Sequence, residues 1–147
     1  MVTFETYLVI IECQQHIKNQ ISQMEFKTDA KTNYTLIQPE NGPLSAKMAA
    51  ELRQKVNELL EHNSTNFIID LKQQPEMAIE AGIALLELHH QLYENGHSMV
   101  FINLQEAVLQ SMKKEQLHLS LNLSPTLIEA IDIISMEILE RDILNES

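Results

Sequence analysis

The stretch Phe67-Ile68-Ile69-Asp70-Leu71 constrains this chain more than any other. It is the most apolar strand pattern in the sequence, and helical patterns lie on both sides of it. A short apolar run between two helices predicts a central, parallel β-strand buried on both faces. A polar loop containing Pro75 follows. A helix then opens with Ile79, Glu80, Ala81 and Gly82 in its first turn. The loop from the C-terminal end of a strand to the start of a helix is where α/β proteins usually place their working residues.

The other elements arrange themselves around that strand. Met24 to Thr28 alternates in character, and Tyr34-Thr35-Leu36-Ile37 reads as its hairpin partner. Pro39-Glu40-Asn41-Gly42-Pro43 is turn chemistry, and Ser45 is a good N-cap. The helix after it should bury Ala49, Leu52, Val56, Leu59 and Leu60 and end near His62. The helix from Ile79 to Glu94 should bury Ile79, Ile83, Leu86 and His90, broadened by Leu85, Leu88 and Leu92, and Asn95-Gly96 stops it. Met99 to Ile102 is the next strand. Gln105 to Glu115 forms a helix carrying Val108, Leu109 and Met112. Leu117 to Leu123 reads as a short strand. Ser124-Pro125 predicts an N-cap with proline at the first helical position. The last helix should use Leu127, Ile128, Ile131, Ile134, Ile138 and Leu139. This order predicts an α/β fold, a single mixed, mostly parallel β-sheet packed with helices.

Residues 1–23 show no sustained amphipathic face. Thr6 to Ile11 reads as a short strand and Glu12 to Ser22 as weak helix or coil. The segment is either a genuine N-terminal appendage or an upstream extension ahead of a start at Met24. The domain itself is expected over 24–147, with an extended C-terminal helix.

Composition narrows the function. A net charge of −11 argues against nonspecific nucleic-acid binding and against attraction to an anionic membrane, and it suits a basic partner. Cys13 is the single cysteine, which excludes an intrachain disulfide or a cysteine-based zinc site. The run Tyr7 to Ile11 is far too short to span a bilayer, and its flanks, Glu5 and Glu12, do not resemble a signal peptide. A cytoplasmic protein without membrane insertion is expected. The three glycines, Gly42, Gly82 and Gly96, form no phosphate-binding loop, and no nucleophile elbow is present. His89 and His90 are adjacent, so on a helix they point about 100° apart and cannot chelate one ion from one face. No metal or cofactor is expected. Asp70, Glu76 and Glu80 gather around the strand–loop–helix junction and suit an acid/base pair in principle. The structural reading outweighs it: Asp70 bonds the backbone N–H groups of its own loop, and Glu80 complements a helix N-terminus. The chain is read as no enzyme.

From Met24 onward the sequence resembles a STAS domain, the fold of bacterial anti-anti-sigma factors (anti-sigma factor antagonists). The resemblance rests on Gly42-Pro43-Leu44-Ser45 leading into Ala49-Ala50-Glu51-Leu52, on the Phe67 to Leu71 strand, on Gly96 before Val100-Phe101-Ile102, and on Ser124-Pro125-Thr126 with Glu129-Ala130-Ile131. Each is weak alone, and their order and spacing carry the likeness over nearly all of 24–134. In that family the helix after the central strand opens Asp-Ser-Ser-Gly-Leu. Its second serine is phosphorylated by a partner kinase that is also the anti-sigma factor, and the added charge weakens the complex. This chain departs there. Without gaps the positions read Ala78, Ile79, Glu80, Ala81, Gly82, placing Glu80 at the acceptor; aligning Gly82 with the family glycine would place Ala81 there instead. The ungapped register is preferred. No Ser, Thr or Tyr lies between Leu71 and Leu92.

The resemblance therefore implies a non-enzymatic interaction domain in bacterial transcription regulation by partner switching. It would bind an anti-sigma kinase or a related regulator without phosphorylation at the usual serine. The expected contact residues are Asp70, Glu76, Met77, Ala78, Ile79, Glu80, Ala81, Gly82 and Ile83. Glu80 is either a permanent, weaker phosphate mimic or part of a recognition surface of changed specificity. Two other readings stay open: a scaffold or homo-oligomer subunit, and a small-molecule or lipid-binding module.

Overall fold

The computed structural model describes residues 25–145. The expectations for 1–23 lie outside them. Among the described residues five strands form one sheet in the order β1-β2-β3-β4-β5. β1 (Phe26–Ala30) and β2 (Thr35–Pro39) are an antiparallel hairpin. β3 (Phe67–Asp70), β4 (Met99–Ile102) and β5 (Asn122–Ser124) continue from β2 in parallel. β3 is the middle strand, so its FIID sequence is buried at all four positions.

The helices are α1 (Ala46–Glu61), α2 (Ile79–Glu94), α3 (Glu106–Lys114) and α4 (Leu127–Asn145). Strand alternation sends side chains to two cores. Ile37, Phe67, Ile69, Met99 and Phe101 pack with residues of α1, α2 and α3. Ile68, Val100 and Ile102 pack with Ala130 and Ile134 of α4, the single helix on that side among the described residues. Among the described residues, one face of the sheet thus carries three helices and the other carries one.

Ser45 caps α1, its Oγ accepting from the Met48 N–H at 3.2 Å. α1 buries Met48, Ala49, Leu52 and Val56, and leaves Leu59 and Leu60 half-buried. α2 buries Leu85, Leu88 and Leu92 as expected, but turns the Ile79-Ile83-Leu86-His90 face outward. It buries Ala81, Gly82, Leu85, Leu88, His89 and Leu92, while Ile83 is 48% exposed and His90 faces solvent. The cause is steric. The small pair Ala81-Gly82 permits the closest approach to the neighbouring elements, and the helix turns that pair inward. Leu117 to Leu123 divides into a 3-10 turn (Leu117–Leu119) and β5. Ser124 ends β5 rather than capping α4. The Thr126 Oγ1 takes that role, accepting from the Glu129 N–H at 3.3 Å. α4 buries Ala130 and Ile134 fully, whereas Ile128 and Leu139, both expected inside, are 75% and 59% exposed. At its far end Arg141 reaches back to the base of the sheet. Its Nη1 donates to the Ser98 Oγ at 3.0 Å and its Nη2 to the Asn66 Oδ1 at 3.2 Å.

Candidate functional site

Asp70 sits at the C-terminal end of β3 and is nearly fully buried. It pairs with Ile102 across the sheet and lies on the α4 side. Its Oδ1 accepts from the Lys72 N–H at 3.0 Å and from the Asn103 Nδ2 at 3.3 Å. Its Oδ2 accepts from the Gln38 Nε2 at 3.1 Å, with the Lys72 Nζ at 3.8 Å. One carboxylate thus ties together the ends of β2, β3 and β4. Glu80 begins a helix packed on the face of the sheet opposite to Asp70.

The loop from Leu71 to Ala78 crosses to that opposite face and is stitched to the turn before α1. The Gly42 N–H donates to the Gln73 carbonyl at 3.2 Å, the Leu44 N–H to the Glu76 carbonyl at 2.8 Å, and the Ala78 N–H to the Leu44 carbonyl at 3.0 Å. Gln74 is completely buried, and its Nε2 donates to the Glu40 carbonyl at 2.7 Å. Sequence reasoning passed over Gln74, Gln38 and Asn103. A polar residue in a polar loop gives no sign of being buried. Asn103, at φ 57°, carries a weak signal in that asparagine tolerates the left-handed region better than most residues.

Met77 tucks under the start of α2. A Cβ added at Gly82 would lie 2.5 Å from the Leu117 Cδ1 and 3.1 Å from the Met77 Cε. Gly82 thus sits in close packing in this chain, and a side chain there would have to push Leu117 and Met77 aside. Ala81 is fully buried beside it. Ala78 occupies the N-cap with no side-chain acceptor, and Glu80 stands exposed in the first turn. The surface-facing members of the expected contact set are Glu76, Ala78, Glu80 and Ile83; Ile79 is half-buried; Asp70, Met77, Ala81 and Gly82 lie beneath. The outer face of α2 continues from Glu80 through Ile83, Glu87 and His90 to Glu94, all exposed. It is an acidic row with one isoleucine set into it.

Behind this row His89 is buried, and desolvation holds its imidazole below the usual value near 6.5. The nearby Glu137 carboxylate opposes that effect, His90 adds to it, and a hydrogen bond to the Met99 backbone opposes it. Among the described residues no group of three His, Cys, Asp or Glu is placed to hold a metal ion. Also among them, no helix is long and apolar enough to cross a membrane. At the C-terminal ends of β3, β4 and β5 lies an open cleft of about 750 Å³, lined among others by Lys72, Asn103, Gln105, Leu109 and Leu123.

A family model described as STAS domain matches residues 23–130. No curated protein matches the chain in sequence. Among solved structures, the anti-sigma factor antagonist SpoIIAA in its unphosphorylated form superposes with a TM-score of 0.60 at 17% identity, covering 76% of this chain and 96% of that one. A variant of RsbS from Moorella thermoacetica, with a serine changed to glutamate, gives 0.63 at 13% identity, covering 80% and 98%. The murine anion transporter Solute Carrier 26 family member A9 gives 0.63 at 15% identity, covering 89% of this chain and 26% of that one. At these identities the likenesses speak to the fold alone.

Proposed function

Because the chain belongs to the STAS domain family, we propose that it is a non-enzymatic interaction domain of bacterial regulation. It binds an anti-sigma-factor-like kinase or a related regulator through the 72–83 loop and the outer face of α2. One observation carries this reading: Glu80 is exposed at the start of α2, while Ala81, the other candidate for the acceptor position, is fully buried. A partner that reads this position meets a fixed carboxylate. The stitched loop beneath it costs little further ordering on binding, which favours affinity.

Glu80 is also the first of a row completed by Glu87 and Glu94 on the same helix face. That supports recognition over a lone phosphate mimic, with a partner surface that sets basic groups around a socket for Ile83. The test begins with capture of partners from source cells and their identification by mass spectrometry. Titration calorimetry with the recovered regulator then compares Glu80→Ala and Glu80→Ser with the parent chain. Each should weaken binding by about fivefold, as loss of one rim charge contact does. Tighter binding by both would reverse the reading and make Glu80 a standing substitute for phosphoserine. Unchanged affinity would leave it a helix-start residue only.

The cleft beside Lys72 favours a second reading, a small-molecule-binding module. A thermal-shift screen with nucleotides and acyl ligands addresses it, because a ligand selective for the native state raises the apparent melting point.

A further inference from the structure

The last helix carries a surface that the 72–83 loop does not use. α4 exposes Ile128 (75%), Met136 (62%), Leu139 (59%) and Ile143 (58%). At about 100° per residue these positions fall within roughly a quarter-turn of the helix. Scattered exposed aliphatics are ordinary, but four within one quarter-turn of a rigid helix, set around the exposed Asp132, are not. The opposite sector of α4 is already spent, with Ala130 and Ile134 packed on Ile68, Val100 and Ile102. The double hydrogen bond from Arg141 to Ser98 and Asn66 holds the distal half in place. Most of the stripe also lies beyond residue 130, where the family match ends.

The charges beside the stripe select its occupant. Glu129, Glu140 and Asp142 border it and Asp132 lies within it, all exposed. Arg141 is the sole Lys or Arg of α4, and it is turned inward. A second copy of this helix would set carboxylates against carboxylates. Residues 1–24 hold Glu5, Glu12 and a single Lys18, so they offer no basic complement either.

We propose that α4 is a docking face for an amphipathic helix of another protein, with an aliphatic seam on the stripe and Lys or Arg along its flanks. The site lies on the opposite side of the sheet from α2. It can therefore be occupied together with the surface assigned above, and it stands independently of that assignment.

The test uses the full chain and a fluorescent 18-residue helical peptide with a leucine seam and lysine flanks, read by anisotropy. A twin peptide with glutamate flanks should bind at least about tenfold more weakly. Combined Met136→Asn and Leu139→Asn substitution should weaken the lysine peptide by about tenfold without moving the thermal midpoint, whereas Ile83→Asn on α2 should leave binding unchanged. Equal losses from the α2 and α4 variants, or none from the α4 variant, would overturn the proposal. So would a dimer in light scattering that Leu139→Asn dissolves, which would make a second copy the occupant. Tighter peptide binding after removal of residues 1–23 would overturn it in favour of the chain's own segment.

Discussion

Replacing Gly82 by alanine sets two familiar effects against each other at one atom. Within a helix, alanine is worth about 1 kcal/mol over glycine. The new Cβ would arrive 2.5 Å from the Leu117 Cδ1 and 3.1 Å from the Met77 Cε. Met77 ends in a flexible thioether and can give way. Leu117 is only 6% exposed and belongs to the larger core, so displacing it carries an overpacking cost of about 1–3 kcal/mol. The clash should win, and Gly82→Ala should lose about 1 kcal/mol. Leu117→Ala removes the obstructing methyl. In that background the same substitution should gain about 1 kcal/mol, a sign reversal that amounts to a coupling of about 2 kcal/mol. Urea unfolding followed by far-UV circular dichroism on the four proteins of the cycle, with a shared slope, measures it. Stabilisation by Gly82→Ala in the parent chain would refute the reasoning, since it would mean that Leu117 moves aside freely and that Gly82 is not held by packing.

Asp70→Ala should lose about 2–3 kcal/mol in thermal unfolding, because the Gln38 and Asn103 amides and the Lys72 N–H are left without their acceptor; Asp70→Asn, which keeps an acceptor oxygen, should lose less. His89 makes the chain sensitive to acid. Its folded-state pKa lies below the ordinary value near 6.5, so on acidification the unfolded chain takes up the proton first. Stability is full above that ordinary value and falls as pH drops below it toward the folded pKa. His89→Phe should flatten this part of the stability–pH profile, and an unchanged slope would show that burial of His89 is not its source.

The first four strands and their order were legible because β3 and β4 are continuous apolar runs and because the Pro39–Pro43 turn and Asn95-Gly96 punctuate the pattern. The Ser45 cap was legible for the same kind of reason: a capping residue acts locally. What failed was the orientation of helices. In α2 the large residues Ile79 and Ile83 looked like the core face, but the contact is made by Ala81 and Gly82, whose smallness matters only once Leu117 and Met77 are in place. In α4 aliphatics point in nearly every direction, so periodicity could not separate Ile134, buried, from Leu139, exposed. The candidate site was half legible. The exposed carboxylate at Glu80 follows from sequence alone. The crossing of the loop from the α4 side to the α2 side, which separates Asp70 from Glu80, depends on tertiary hydrogen bonds made by Gln74 and Leu44.

Among the described residues a single helix covers one face of the sheet, and this bears on how the chain is assembled. The hairpin and the first strand–helix–strand units can form the sheet and its three-helix side before α4 is available. α4 closes the structure through contacts as distant in sequence as Asn66 and Arg141, 75 residues apart. Contacts of that kind form late, since the intervening chain must be ordered first. During synthesis α4 also follows every strand it covers. Until it docks, Ile68, Val100 and Ile102 lack the cover that Ala130 and Ile134 give them. Aggregation of the nascent protein should accordingly be greater before α4 arrives than after it.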